Sequence, residues 1–391
     1  MPFTGLQREL DERAAQGLLR RRHTLESAQG VHVTVDGKPY LSFCSNDYLG
    51  LASHPQLIAA LQQGAAQWGA GAGASHLVSG HFAPHHQLEE QLAAFVDKPA
   101  ALLFSTGYLA NIGIVQALAG RGDTVFADKL NHASLNDAML LSRAEVKRYR
   151  HNDMTHLDQL LAQTHGGRKL VITDAVFSMD GDLAPLPQLL ALCEQHDAWL
   201  LVDDAHGFGV LGEQGRGSLS HFGLDGRSPA QQGFQRIIYM ATLGKALGIA
   251  GAFVAAEQVV IDTLVNQARS YIYTTASPPA LAVALMHSLK LVEQGDERRA
   301  RLRSLIEKLH TSLAGLPWKL MPSDTPIQPL VVGGNEETVA LSMELRTRGI
   351  WVPAIRPPTV PQGTARLRIS LSAAHSTGNI EQLAGALHDF A

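Results

Sequence analysis

Two hydrophobic rhythms run along the chain. Over residues 5–23, Leu6, Leu10, Ala14, Leu18 and Leu19 recur among charged positions at a spacing that predicts an amphipathic N-terminal helical arm. VHVTVDGKPYLSF then switches to apolar/polar alternation about Asp36-Gly37, which predicts a small hairpin. From about residue 55, helix-length stretches separate short apolar runs: AALLF, DTVFAD, KLVITDAVF, AWLLVDD, RIIYMAT and GAFVAA. Runs without polar alternation suit strands covered on both faces, so this part predicts an α/β domain around a mostly parallel sheet. After the polar stretch GDERRARLRSLIEKLH the elements shorten. PIQPLVVG, a helix near ETVALSMELRTRG, IWVPAI and ARLRISLS predict a smaller C-terminal α/β domain. The expected partition is an arm and hairpin over 1–45, a large domain over 46–285 and a small domain over 286–391.

Composition narrows the classes. The 391 residues are 45% hydrophobic and 17% charged, enough apolar surface for a substantial core. Thirty-two basic against thirty-six acidic side chains leave a formal charge of -4, which offers no footprint for nucleic acid or an anionic membrane. No apolar run reaches membrane-spanning length, and the opening MPFTGLQRELDERAAQ is charged where a signal peptide needs an apolar core. Cys44 and Cys193 form neither a disulfide framework nor a metal-ligand spacing, which fits a reducing cytosol. A soluble cytoplasmic protein is expected.

Candidate chemistry centres on Lys245 in YMATLGKALGIAG. It should lie on a Gly-rich turn after the strand RIIYMAT, at the strand end where open α/β sheets bind ligands. A phosphate-binding P-loop would need Gly at 239 and Ser or Thr at 246, where this chain has Tyr239 and Ala246. A Gly-flanked lysine alone is commonly a surface residue, so its partners decide. AWLLVDDAHGFGVLG ends a buried strand in Asp203-Asp204-Ala205-His206. A pyridine cofactor acts as an electron sink when its ring nitrogen stays protonated, and a carboxylate at Asp203 suits that role. His206 could hydrogen-bond a phenolic oxygen beside a Schiff base. The same residues read blandly as a helix N-cap at Asp204 or as metal ligands.

LLFSTGYLANIGIVQAL supplies a strand, a turn and a helix start, a place for phosphate facing Gly107 and Tyr108. Thr242, and Thr274 or Thr275 in YIYTTASPP, could add hydroxyl donors, and His132 could stack on a pyridine ring. His81, His85 and His86 resemble a metal cluster by count. The chain has eighteen histidines and no His-Glu-x-x-His pattern, so they are expected to be structural, with no metal.

The order Gly107-Tyr108, His132, Asp203-x-x-His206, Thr242-x-x-Lys245 resembles fold-type I pyridoxal 5′-phosphate enzymes. SNDYLGL, FSMDGDLAPL, DDAHGFGVLG and RPPTVPQGTARLRISLSAAH are similar to the α-oxoamine synthase family, from the arginines near residue 20 almost to the C-terminus. The resemblance implies a fold-type I transferase with Lys245 as the Schiff-base lysine and His132 stacking on the cofactor. It implies cofactor contacts from Gly107, Tyr108, Ser178, Asp203, His206 and Thr242, and substrate contacts from Arg20, Asn46, Thr359 and Arg368, the last binding the amino-acid carboxylate. Asp174 stands where some relatives have Glu. A homodimer is implied, with Thr274 and Thr275 reaching the partner's site. RPPTVPQGTARLRISLSAAH and DDAHGFGVLG resemble most the biotin-pathway member, which condenses L-alanine with a pimeloyl thioester on coenzyme A or an acyl carrier protein. Glycine-using relatives such as 2-amino-3-ketobutyrate CoA ligase usually carry HAVG where this chain has His206-Gly207-Phe208-Gly209. A pyridoxal-phosphate-binding regulator on the same fold would be expected to bring a DNA-binding module, for which the chain shows neither extra length nor a basic helix pattern. Arg20, Arg21 and Arg22 suit a substrate carboxylate, a phosphate or a solvated helix face.

Overall fold

Each central apolar run has to satisfy two hydrophobic layers at once, because successive side chains of a strand point to opposite faces. In the computed structural model, which describes residues 3–16, 18–20, 22–224, 226 and 233–391, this is how the runs are used. Leu200 and Val202 join one core while Leu201 joins the other, and Ile237, Tyr239 and Ala241 split in the same way from Ile238 and Met240.

In chain order the strands are β1 (His32–Val35), β2 (Lys38–Ser42), β3 (Ala100–Phe104), β4 (Thr124–Asp128), β5 (Glu145–Tyr149), β6 (Lys169–Asp174) and β7 (Trp199–Asp203). They continue as β8 (Ile237–Thr242), β9 (Ala252–Ala256), β10 (Lys319–Leu320), β11 (Ile327–Gly333), β12 (Ile350–Trp351), β13 (Ala354–Ile355) and β14 (Ala365–Ser370). The large sheet has the order β3-β9-β8-β7-β6-β4-β5. Its pairings from β8 to β5 are parallel, and β9 runs antiparallel to both β3 and β8. All six apolar runs therefore became strands of this one sheet. The seventh strand, β5, has the sequence EVKRY and escaped the pattern because it is an edge: Glu145 and Arg148 are exposed there, and charges on an edge guard the open side against pairing.

The two termini meet around a second framework. The hairpin β1–β2 turns at Asp36 and Gly37, whose φ values of 48° and 76° suit a tight turn between twisted strands. β2 also pairs in parallel with β12, which joins the N-terminal hairpin to the C-terminal part of the chain. β10, β11, β14 and β13 form an antiparallel sheet in that order. The N-terminal helix covers Thr4–Ala15, shorter than the 5–23 pattern, and none of its residues is buried. It closes when the Leu18 N–H reaches back to the Arg13 carbonyl at 2.8 Å, a helix-ending bond that turns Leu18 and Leu19 out of the helical repeat. Arg21 lies outside the described residues. No helix among them is long and apolar enough to cross a membrane.

Candidate active site

The functional side chains follow from one topological fact: β3, β4, β6, β7 and β8 run in the same direction, so their carboxyl ends share one edge of the sheet. Past those ends come Gly107, His132, Ser178, His206 and Lys245 in turn. A cavity of about 720 Å³ opens there, lined by Asn46, His132, Ser178, His206, Lys245, Thr359 and Arg368 among others.

Two hydrogen-bonded chains organise it. In the first, Lys245 Nζ lies 3.1 Å from His206 Nε2, and His206 Nδ1 lies 2.6 Å from the Tyr48 hydroxyl. Tyr48 donates to Asn46 Oδ1 at 3.1 Å, and both terminal nitrogens of Arg368 reach the same oxygen at 3.3 Å. The Tyr48 hydroxyl thus stands between His206 Nδ1 and Asn46 Oδ1 and links the lysine side of the cavity to Arg368. Burial, followed by the charges of Lys245, Arg368 and His132, holds His206 far below the ordinary histidine range and keeps it neutral. Arg368 also donates from Nε to the Ser178 carbonyl at 2.6 Å and from Nη1 to Ser370 at 2.7 Å.

The second chain starts at His132, the N-cap of helix Ala133–Ser142. Its Nδ1 meets Ser134 Oγ at 2.8 Å and the Ser134 N–H at 3.2 Å. Asn111 Nδ2 donates to Ser134 Oγ at 2.9 Å and to Asp203 Oδ2 at 2.7 Å. The Ser134 N–H donates to His132 Nδ1, so that nitrogen accepts and the neutral ring carries its proton on Nε2. Asp203 Oδ1 accepts from the Ala205 N–H at 3.0 Å, so the buried carboxylate is held at both oxygens.

Lys245 is pulled two ways. Burial lowers its pKa to about 8, while Asp203 and Asp174 draw it upward and Arg368 adds to the lowering. Asp174, whose part the residue pattern left open, accepts the His132 backbone N–H at 2.7 Å. It pairs in register with Asp203 on the neighbouring strand, and burial first, then Asp203, raises its carboxyl well above the usual range. Asp204 points to the opposite face from Asp203 and spends its oxygens on Ser218 and Tyr239, with burial lifting its pKa to about 6. Adjacent positions at one strand end thus part: Asp203 is bonded to Asn111 and the Ala205 N–H, Asp204 to Ser218 and Tyr239.

Gly107 opens helix Gly107–Leu118, capped by Thr106. A Cβ at Gly107 would meet the Thr242 methyl at 2.6 Å, so only glycine leaves this helix start clear for an anion. Tyr108 is exposed and donates to Asp137, which lifts its pKa. The Thr242 hydroxyl donates to the Ala205 carbonyl at 3.3 Å. Thr274 is half-buried, Thr275 exposed, and neither lines the cavity within its own chain. Arg20 lies in an adjoining cavity of about 580 Å³ with Leu10, Arg13, Leu18, Leu19 and Arg356, and Ile355, Pro358 and Thr359 line both spaces. Tyr48, Asn111 and Ser134 went unmarked in the sequence. Tyr48 stood within SNDYLGL, but nothing in the spacing marks Asn111 and Ser134, which join the site from two successive helices.

This geometry fits pyridoxal 5′-phosphate. There is a desolvated lysine, a held carboxylate for a ring nitrogen, a histidine beside it and a cleared helix start for the phosphate. The buried Asn111 Oδ1 has no partner among the described residues, a polar atom that a bound group could satisfy. The sequence model for aminotransferases of class I and II matches residues 38–387, and the chain belongs to that family. Its closer kin are 8-amino-7-oxononanoate synthases. The enzyme of Nitrosomonas europaea is 59% identical over 386 residues, covering 99% of this chain and 98% of the relative, and that of Nitrosospira multiformis is 61% identical over 385, covering 98% and 95%. Among solved structures, a serine palmitoyltransferase from S. paucimobilis with bound PLP–myriocin aldimine superposes with a TM-score of 0.91 at 30% identity, covering 99% of this chain and 97% of that one. The 8-amino-7-oxononanoate synthase of Francisella tularensis gives 0.75 at 31%, covering 90% and 97%.

Proposed function

We propose that the chain condenses L-alanine with a pimeloyl thioester, on coenzyme A or a carrier protein, releasing carbon dioxide and the free thiol carrier. The product is 8-amino-7-oxononanoate, and the setting is cytoplasmic biotin biosynthesis. The relatives at about 60% identity over nearly the whole chain support the reaction. The observation that carries the residue roles is that Lys245 and Arg368 open into one cavity and are joined through His206, Tyr48 and Asn46.

Pyridoxal 5′-phosphate, bound covalently by Lys245, supplies an electron sink that stabilises negative charge at the α-carbon of the amino acid. Asp203 keeps the ring nitrogen protonated, and its two hydrogen bonds hold it for that task. The Gly107–Tyr108 helix start, Ser178 and Thr242 hold the rest of the cofactor, with His206 beside Lys245. Arg368 fixes the alanine carboxylate. Lys245 would remove the α-proton of the bound amino acid. In the chain alone burial already lowers its pKa to about 8, which favours the neutral form that a base requires. His132, which lines the cavity, would pack against the cofactor, and its Nε2 would donate to the thioester oxygen. Asn46 and Thr359 contact the substrate, and Arg20 meets the acyl end through the adjoining cavity. Two copies assemble so that Thr274 and Thr275 approach the partner's phosphate.

Borohydride reduction of the purified yellow protein followed by peptide mass mapping is the test. The expected result is one pyridoxyl group on Lys245. A colourless protein, or label on another lysine, would defeat the reading. Faster turnover of glycine with acetyl-CoA than of alanine with pimeloyl-CoA would overturn the choice of substrate.

A further inference from the structure

On the far side of β3, away from Lys245, a cavity of about 610 Å³ is lined by His76, His81, His86, Glu89, Glu90 and Lys98 among others. Nothing in the reaction uses these residues. The ligand atoms of His81, His86 and Glu89 all lie within 4.8 Å of one another. His86 and Glu89 stand three residues apart on helix Ala83–Phe95, hence on one face, and His81 lies just past the π-helical turn His76–Gly80 that precedes it. We propose that His81, His86 and Glu89 form a binding site for a divalent cation of the zinc type, with His76 as the outer partner of His81.

The bonding around each group supports this set over the neighbouring one. His81 Nε2 lies 3.9 Å from Glu89 Oε2, while His81 Nδ1 lies 2.9 Å from His76 Nδ1. A ligating histidine usually gives its second ring nitrogen to such a partner, which fixes its tautomer. Glu89 is buried, and its Oε1 is already anchored by the Leu103 N–H at 2.9 Å, which leaves Oε2 toward the histidines. His85, the other candidate beside His76 and His81, has both nitrogens engaged, with the Phe82 N–H at 3.1 Å and the Ser277 carbonyl at 2.9 Å. His86 gives up only a solvent-exposed contact of 3.4 Å to Glu90. Zinc–nitrogen bonds of about 2.0–2.1 Å place tetrahedral ligand atoms roughly 3.3 Å apart, so small side-chain rotations complete the site. Two nitrogens and one carboxylate oxygen suit a borderline cation, with a further position open to water from the cavity. Lys98 does not compete: its Nζ donates to the Phe234 carbonyl at 2.6 Å and sits over that ring. The bound ion would tie the His76–Gly80 turn to the helix and, through Glu89 and Leu103, to β3, the strand that leads into the Gly107 turn.

The test is calorimetric titration of zinc ion into untagged, chelator-stripped holoenzyme whose cofactor has been fixed by borohydride, so that the Lys245 cavity is filled. One zinc per chain is expected. His81→Gln should weaken binding at least about 100-fold, as should Glu89→Gln, which keeps an acceptor for Leu103. His76→Phe, which preserves the stacking on Tyr271, should weaken it roughly 10–100-fold. Cobalt substitution in the unmutated protein provides a readout independent of variant folding, because nitrogen and carboxylate ligands in a tetrahedral field give an intense visible band. Absence of stoichiometric zinc, or zinc binding unchanged in folded His81→Gln and Glu89→Gln, would overturn the site.

Discussion

The two adjoining cavities treat their arginines differently. In the inner one Arg368 is buried and spends its guanidinium on the Ser178 carbonyl, Ser370 and Asn46, so its direction is set before any substrate arrives. In the outer one Arg20 is exposed on a segment that follows a helix with no buried residue, among Leu10, Leu18 and Leu19. A group common to all amino acids can be met by a rigid fork, whereas a long acyl tail suits a surface that adapts. On the proposed roles, the difference separates two ways of holding a substrate: orientation at the reacting carbon through a bonded network, chain length through a loosely held rim.

Four measurements press on this contrast. The largest effect is expected from pH. Lys245 has a folded-state pKa of about 8, below its ordinary value, so it is protonated below that pH and neutral above it. In cofactor-free protein its reaction with an amine-acylating reagent should fall roughly 50-fold between pH 8 and 6, approaching about tenfold per pH unit well below 8. An inflection near the ordinary lysine value would mean the inner cavity is not desolvated. Next, Arg368→Lys keeps the charge but loses the planar fork; KM for alanine should rise on the order of 30-fold with KM for the thioester little changed. Equal increases in both would erase the division between the cavities. Tyr48→Phe removes the hydroxyl linking His206 to Asn46, and leaving buried partners unpaired should cost about 1–2 kcal/mol, close to tenfold in kcat/KM for alanine. The pH profile should shift with it, which a purely structural tyrosine would not do. The smallest effect belongs to the rim. Arg20→Ala should raise KM for the pimeloyl thioester about threefold, an effect that fades at high salt because an exposed pair is worth ~1 kcal/mol or less. A loss as large as that at Arg368 would show that the outer cavity is as preorganised as the inner.

Legibility varied with the distance over which each feature is built. The hairpin at Asp36-Gly37 and the six apolar runs were readable because local alternation and burial on two faces leave marks within a few residues. β5 was hidden because an edge strand carries the charges that the pattern reads as loop. Lys245, Asp203, His206 and His132 were legible as residues at strand ends, and Arg368 through the resemblance alone. Tyr48, Asn111 and Ser134 were not. The importance of Tyr48 is that it lies 2.6 Å from a histidine 158 positions away, and Asn111 matters because it spans Ser134 and Asp203.

By itself the sequence determined the alternation of strands and helices, the lysine and carboxylate at two strand ends and the glycine before a helix, since each depends on local sterics and hydrophobic period. Only the tertiary structure decided which groups meet the ring nitrogens of His206 and of His132, that Asp203 and Asp204 face apart, and that His81, His86 and Glu89 converge. Those are properties of hydrogen-bond partners and burial, and they exist only once distant segments of the chain are packed together.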